Sequence, residues 1–424
     1  MVPAPYLSRG LEAYKDLLAE EAILAIRKAA AVFHGLRIVH INATPTGGGV
    51  AEVLASLVPL MQDVGLVASW LTVEAPPEFF AVTKKVHNSL QGKPISLDPR
   101  EIDLYMAYNQ RFAQELENQV GSADVLVLHD PQVLPSVSSL DHRCQVIWHC
   151  HLDTSTPNPE AQALIVPLTQ IPTRCIVSMP HYVMQGMSRE RVAVFPPAID
   201  PFTDKNSPLP RSSAMEILSR MGLDLARPLV TQVSRFDPWK DPWGVIDAYR
   251  LAKREIPALQ LAIVGAMTAQ DDPESAGVLE SVRAYAADDP DIHLFSEPAA
   301  GQPVPVNAFQ TLSTVIVQKS VREGFGLTVT EAMWKGTAVV GGRCGGIVWQ
   351  IQEGVTGYLA GSPEECADRI VHLIKRPDER ARIGASARER VLSSFLMPRL
   401  LLDYLQLLDG VHRTRQDRSP SLTH

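Results

Sequence analysis

Positive charge is what this chain is short of: 39 Lys and Arg stand against 47 Asp and Glu, a net charge of −8 over 424 residues. A protein that grips nucleic acid along its length carries the opposite balance, so general nucleic-acid binding is excluded and at most a local basic patch remains. Cysteine is scarce and odd in number, and no two of Cys144, Cys150, Cys175, Cys344 and Cys366 have metal-ligand spacing. Reduced thiols in a cytoplasmic protein are the expectation. No apolar run reaches ~18 residues, and the first stretch, MVPAPYLSRGLEAYKDLL, has no apolar signal core. Secretion and membrane spanning are therefore disfavoured. Internal repeats of ~20–50 residues and low-complexity tracts are also missing, which removes solenoids and propellers. Neither a G-x-G-x-x-G nor a Walker P-loop occurs where the glycines cluster.

What is present is an alternation. One core rarely serves so long a chain, so two domains of roughly 200 residues are expected. A helical pattern over 10–32 leads into a buried strand at 36–42 (LRIVHIN), a Gly-rich loop and a helix over 50–64. Strands follow at 67–73, 124–128 (DVLVL), 145–149 (QVIWH), 175–178 and 192–195, with helices over 77–90 and 101–120. Pro196, Pro197 and a polar, proline-containing stretch at 201–211 mark a linker. The alternation then restarts, with strands at 229–234 (LVTQVS), 259–264 (LQLAIV), 292–295, 313–318 (STVIVQ) and 337–340. From Pro363 the pattern is helical, broken near Pro377 and Pro398 and fraying after Arg413. The expected boundaries are 1–200, 201–396 and a C-terminal helix over 397–424 packing back on the first domain. Alternating elements predict an α/β fold with two doubly wound parallel sheets facing across a cleft, and ligands at the carboxyl ends of the strands.

Four stretches at strand ends could carry chemistry. TPTGGGVAE (44–52) holds Gly47, Gly48 and Gly49 before a helix, where free N–H groups and the lack of Cβ atoms suit a phosphate; the plainer alternative is a turn. SRFDPWKD (234–241) sets Arg235 and Lys240 beyond a buried strand, two cations fit for a diphosphate unless they pair with Asp237 and Asp241. WHCHLD (148–153) places His149 and His151 on one strand face: a metal site lacking nameable further ligands, or core histidines with satisfied hydrogen bonds. SVREGFGLTVTE (320–331) brings Glu323 and a Gly324-Phe325-Gly326 turn to the start of a helix near Leu327, with Glu331 one turn in. Paired acids suggest glycoside hydrolysis, but one acid in a loop and one on a helix reach different parts of one ligand rather than one bond. Asp289-Pro290-Asp291 looks like a metal-binding D-x-D and reads as a turn, and Trp334 and Trp349 read as packing residues.

With these pieces, SRFDPWKD and EGFGLTVTE followed by Gly345-Gly346 resemble the retaining GT-B glycosyltransferases of family four, over nearly the whole chain. HINATPTGGGVAE, WHCHLD and QKSVREGFGLTVTEAMWKG are similar, more closely, to the trehalose glycosyltransferring synthases. The resemblance implies transfer of glucose from UDP- or ADP-glucose to glucose, giving trehalose, with no cofactor required. Mg²⁺ stays open, though not at a protein D-x-D site. It implies Arg235 and Lys240 on the donor diphosphate, Glu323 on the donor sugar, and the backbone of Gly324, Phe325, Gly326, Leu327 and Thr328 on sugar and phosphate. Glu331 would take the ribose, Gly47 to Gly49 the phosphates, His151 the donor sugar near the reacting carbon, Asp153 the acceptor, and Gly265 the base. His149 stands where the resemblance leads one to expect Arg, and the Pro-, Ala- and Gly-rich 298–305 lies near the base. No nucleic-acid or membrane partner is implied, and a homodimer is compatible with it. Trehalose phosphorylase, which uses phosphate, and a transferase of the same fold with another acceptor are the alternatives.

Overall fold

The computed structural model describes residues 2–3, 9–46, 48–121, 123–140, 144–265, 275–296 and 302–418. Two compact units divide the chain, Met1–Pro197 with Met397–His424, and Ala198–Leu396. The first holds a seven-stranded sheet of β1 (Val2–Pro3), β2 (Arg37–Asn42), β3 (Val67–Thr72), β4 (Val125–His129), β5 (Gln145–Cys150), β6 (Arg174–Val177) and β7 (Val192–Val194), in the order β1-β3-β2-β4-β5-β6-β7. The second holds β8 (Leu229–Val233), β9 (Gln260–Val264), β10 (Ile292–Phe295), β11 (Val315–Gln318), β12 (Val339–Gly342) and β13 (Tyr358–Ala360), in the order β10-β9-β8-β11-β12-β13. Every pairing in the second sheet is parallel. The first is parallel except at its edge, where β1 runs antiparallel to β3, a departure from the all-parallel expectation.

The sequence dictates these strands because they are buried on both faces. β4, β8, β9, β11 and β12 have no exposed residue, so each reads as a mostly apolar run instead of an alternation. Burying such strands with their helices stabilises each unit at roughly 25 cal/mol per Å² of apolar area. Helix starts follow local chemistry. Asp98 caps Pro99–Val120 in a capping box with Glu101, and the Ser362 side chain accepts from the Glu365 N–H at the start of Pro363–Lys375. Pro377 and Pro398 sit in the first turns of Pro377–Ser394 and Met397–Arg418, where a missing N–H costs nothing. The last helix spans Met397–Arg418.

The helix expected over 10–32 is broken. Leu11–Tyr14 forms a 3₁₀ turn and the α-helix spans only Glu20–Ala30. The Leu11 N–H donates to Asp63 Oδ2 at 2.9 Å, pinning this segment to the end of helix Gly49–Asp63. Trp334 is buried as expected, but Trp349 is 46% exposed and is not a packing residue.

Both sheets reverse strand order at one place, β2/β4 in the first and β8/β11 in the second. Connections leave these neighbours in opposite directions, opening a crevice at the carboxyl ends of the strands. Backbone segments meet tightly beside the second reversal: a Cβ on Gly342, at the end of β12, would lie 2.1 Å from the Ser320 carbonyl oxygen. Gly342→Ala is expected to lower stability by about 1–3 kcal/mol in urea unfolding, because the obstruction is backbone and cannot rotate away; an unchanged midpoint would refute the close approach.

Candidate active site

In the second unit, the loops after β8 and β11 lie against each other. Val321 N–H donates to the Trp239 carbonyl at 2.9 Å, and the Gln232 side-chain amide donates to the Lys240 carbonyl at 2.7 Å. Lys240 Nζ lies 2.6 Å from Glu323 Oε2, which also accepts from Ser320 Oγ at 3.1 Å. Lys319 pairs instead with Asp241, whose Oδ1 caps the next helix through the Gly244 N–H at 3.1 Å. Asp237 Oδ1 accepts from the Trp239 N–H at 2.9 Å. Lys240 is thus turned to Glu323 and not to the aspartates of its own loop. Arg235 is half-buried directly beyond β8, flanked by buried Phe236. Gly265 is required by this loop: a Cβ there would lie 2.3 Å from the Ser234 carbonyl oxygen and 3.0 Å from the Phe236 ring.

The Gly-Phe-Gly turn is shaped by its neighbours. Phe325 is buried against Phe395, ring centroids 5.5 Å apart, while Gly324, Gly326, Leu327 and Thr328 remain half-exposed. Gly326 has φ +86° as the residue before helix Leu327–Trp334, a conformation that favours glycine. Gln350 Nε2 donates to the Phe325 carbonyl at 2.6 Å, and a Cβ on Gly346 would lie 2.6 Å from Phe325 Cα. The first N–H groups of the helix and the accessible backbone of 324–328 sit beside Glu323, an arrangement suited to an anion attached to a hydroxyl-bearing group.

Glu331 is almost wholly buried one turn into that helix. Lys205 Nζ lies 3.1 Å from its Oε1, and Gln310 Nε2 donates to Oε2 at 3.0 Å. Burial pushes its carboxyl up, but Lys205, Lys335 and Gln310 outweigh this and hold it below the usual carboxylate range. Burial pushes the Lys335 ammonium down to about 7 despite the same carboxylate. Asp289 and Asp291 form the expected turn, tied to Lys253 at 2.9 Å each and to Arg227 at 2.7 Å from Asp291.

In the first unit, helix Gly49–Asp63 opens after β2 with Gly48 as its N-cap, and a Cβ on Gly48 would meet open space; Gly47 lies outside the described residues. The histidines at the strand ends form one cluster. His40 Nδ1 lies 3.0 Å from His129 Nε2, and His129 Nδ1 lies 2.9 Å from His151 Nε2. His149 stacks on His151 at 3.9 Å and bonds Tyr404 OH through Nδ1 at 2.7 Å. Burial drives the imidazoles to the neutral form, with His40 and His151 pushed down to about 3. Asp130, at φ +62°, accepts the His151 backbone N–H on Oδ1 at 2.7 Å. Asp153 Oδ1 is taken by the Ser155 N–H at 3.0 Å and the Ser155 hydroxyl at 2.6 Å, the pattern of a local turn.

The structure thus brings Lys240 and Glu323, expected at two parts of one ligand, into direct contact, and sets His149 against His151 on one strand face as the alternation predicts. Sequence reasoning missed His40, His129, Asp130, Lys205, Gln310, Lys319 and Lys335. The one available signal was that RIVHIN and VLVLH, like QVIWHC, each carry a histidine near the carboxyl end of an apolar run. Of the expected base site, Gly265 is described, whereas 297–301 lie outside the described residues.

The description "Trehalose synthase, N-terminal domain" fits residues 40–184, and "Glycosyl transferases group 1" fits 216–390. The chain is 39% identical over 404 residues to a trehalose synthase of Pyrococcus horikoshii, covering 95% of this chain and 97% of the other. It is 42% identical over 402 residues to one from Rubrobacter xylanophilus, covering 94% and 96%. Among solved structures, Anabaena HepE in complex with UDP and glucose superposes with TM-score 0.64 at 16% identity, over 89% of this chain and all of that one.

The network around Glu331 yields a prediction that needs no ligand. Glu331→Ala leaves Lys205 and Lys335 facing each other in a buried site, and should cost about 3–5 kcal/mol in urea unfolding. A loss within error of zero would show that the carboxylate is not held by these lysines.

Proposed function

The chain belongs to the trehalose synthase family of the group 1 glycosyltransferases, with a GT-B-type α/β fold, and from that premise we propose that it moves glucose from UDP- or ADP-glucose to free glucose with retention, giving α,α-trehalose. The observation that carries the reading is the Lys240–Glu323 contact at the strand reversal between β8 and β11, with Arg235 on the same loop. A cation and a carboxylate 2.6 Å apart, beside a helix opening, match a ligand that is diphosphate at one end and sugar at the other.

In this reading Arg235 and Lys240 bind the diphosphate, Glu323 binds sugar hydroxyls, and the backbone of 324–328 holds sugar and phosphate. Glu331 takes the ribose; two lone-pair positions remain on its carboxylate beyond Lys205 and Gln310. Gly47 to Gly49 bind phosphate, His151 the donor sugar, Asp153 the acceptor, and Gly265 borders the base. The bond from the anomeric carbon to the diphosphate oxygen breaks, and the bond to the anomeric oxygen of the acceptor glucose forms on the same face. The acceptor's hydroxyl proton passes to the departing phosphate oxygen, leaving trehalose and a nucleoside diphosphate. No protein nucleophile is needed. Arg235, Lys240 and the helix N–H groups meet the negative charge that grows on the leaving group, which is where preorganised donors lower a barrier.

The test is a panel of nucleotide-glucoses with glucose. Arg235→Ala, Lys240→Ala and Glu323→Ala should each lower kcat by about 10²–10³-fold, the cost of losing one transition-state donor, while far-UV circular dichroism stays unchanged. Near-normal turnover in all three would overturn the site. Phosphate-dependent release of glucose 1-phosphate from trehalose, without nucleotide, would overturn the reaction in favour of a phosphorylase.

A further inference from the structure

The histidine cluster of the first unit contains more than the active-site role given to His151 uses. His129, His149 and His151 each offer a ring nitrogen within 4.8 Å of the others, as a metal site would. The rings do not aim at one point, however. His149 and His151 lie face to face at 3.9 Å and 25°, so their lone pairs run side by side instead of converging at the ~2.0–2.1 Å a bound zinc requires. The other contacts run end to end. His129 and His151 have centroids 5.2 Å apart, planes 19° apart and nitrogens 2.9 Å apart. For His40 and His129 the values are 5.3 Å, 28° and 3.0 Å. In both pairs the centroid distance exceeds the nitrogen distance by roughly two ring radii, the mark of an in-line hydrogen bond.

We propose that His40 and His129 form a directional hydrogen-bond chain that fixes His151 as its Nδ1–H tautomer, so that His151 presents a donor to the substrate. Neutral rings carry one N–H each, so the chain runs one way or the other. Running outward from His151, it would end in an N–H on His40 Nε2. That atom is buried and has no hydrogen-bond partner among the described residues. An orphaned buried N–H is the rarer defect, whereas an unshared lone pair is better tolerated. Running inward, His40 Nδ1–H donates to His129 Nε2, His129 Nδ1–H donates to His151 Nε2, and His151 keeps its proton on Nδ1. That nitrogen has no partner among the described residues and belongs to a half-buried side chain. A donor there suits a sugar hydroxyl oxygen.

Two further contacts fix His151, one through its backbone and one through its ring. The Asp130 carboxylate accepts the His151 backbone N–H at 2.7 Å, and Asp130 keeps the uncommon φ +62° with its own N–H on the His149 carbonyl at 2.9 Å and its carbonyl accepting from Trp148 Nε1 at 3.0 Å. Backbone strain of this kind persists only where the surroundings over-determine it. His149, tethered to Tyr404 OH, packs one face of the ring. His129 and His40 are thus positioning residues, acting through His151.

The inference rests on the proposed role of His151 at the donor sugar, but its first readout does not. Nitrogen-15 NMR of histidine-labelled full-length protein, with His151→Gln to identify the signals, should show His129 and His151 both protonated at Nδ1. His129→Leu should shift His151 toward Nε2–H and lower kcat about 10–100-fold, the usual cost of removing an orienting partner, with little change in donor KM. His129→Asn places an N–H close to where Nδ1–H stood and should restore most of the turnover. An Nε2–H His151 in the unsubstituted protein would overturn the proposal, and so would an unaltered tautomer in the Leu variant. Stoichiometric Zn²⁺ uptake in equilibrium dialysis would do the same. If no nucleotide-glucose is turned over, the functional reading falls while the tautomer measurement still decides this one.

Discussion

Strands β8 and β11 are hydrogen-bonded neighbours whose connections depart in opposite directions, and the second unit is organised by that divergence. Loops that leave neighbouring strands apart from each other leave a crevice between them, lined by whatever side chains the first few residues carry. Here those residues supply Arg235, Lys240, Lys319 and Glu323, separated by up to 88 positions in the chain. Lys240 and Glu323 are largely buried, at 19% and 9% side-chain exposure. A pair so placed gives up hydration on both partners and adds little net stability. Under the proposed function its value lies in holding an ammonium for a phosphate and a carboxylate for hydroxyls, each fixed by the other.

The first sheet repeats the device with different chemistry. Its order reverses between β2 and β4, and His40 and His129 stand on those two strands. Where the second unit sets charges at its reversal, the first sets neutral imidazoles, kept neutral by burial. A neutral histidine has a direction, donor at one nitrogen and acceptor at the other, and a buried chain of them transmits that direction to the half-buried end. Ionised side chains and neutral imidazoles thus stand at the strand reversals of separate sheets.

Much of this was legible in the sequence, and the rest was hidden for physical reasons. Doubly buried strands announce themselves as apolar runs, so LVTQVS and LQLAIV were found with only small errors at their ends. Gly265 follows its strand as expected, and what requires a glycine there is the Ser234 carbonyl oxygen, 2.3 Å from where a Cβ would lie. The grip on Glu331 could not be read: Lys205 lies 126 positions away in a stretch that looked like a linker, and only the fold brings it to 3.1 Å. The histidine chain was hidden in the same way. His149 and His151 share a face by strand periodicity, but His129 and His40 join them only because β2, β4 and β5 are adjacent in an order the chain does not spell out. The broken first helix shows a further limit, since a contact with Asp63 outweighs a weak helical pattern.

Everything proposed for the site converges on transfer of a glucosyl group from a nucleotide donor to glucose with its anomeric configuration kept. Carbon-13 NMR of the product from donor labelled in the glucosyl ring, with unlabelled glucose as acceptor, tests it directly. The expected product is α,α-trehalose carrying label in one ring and the α configuration at both anomeric carbons. A β linkage at the labelled ring, or label recovered only in free glucose, would contradict it.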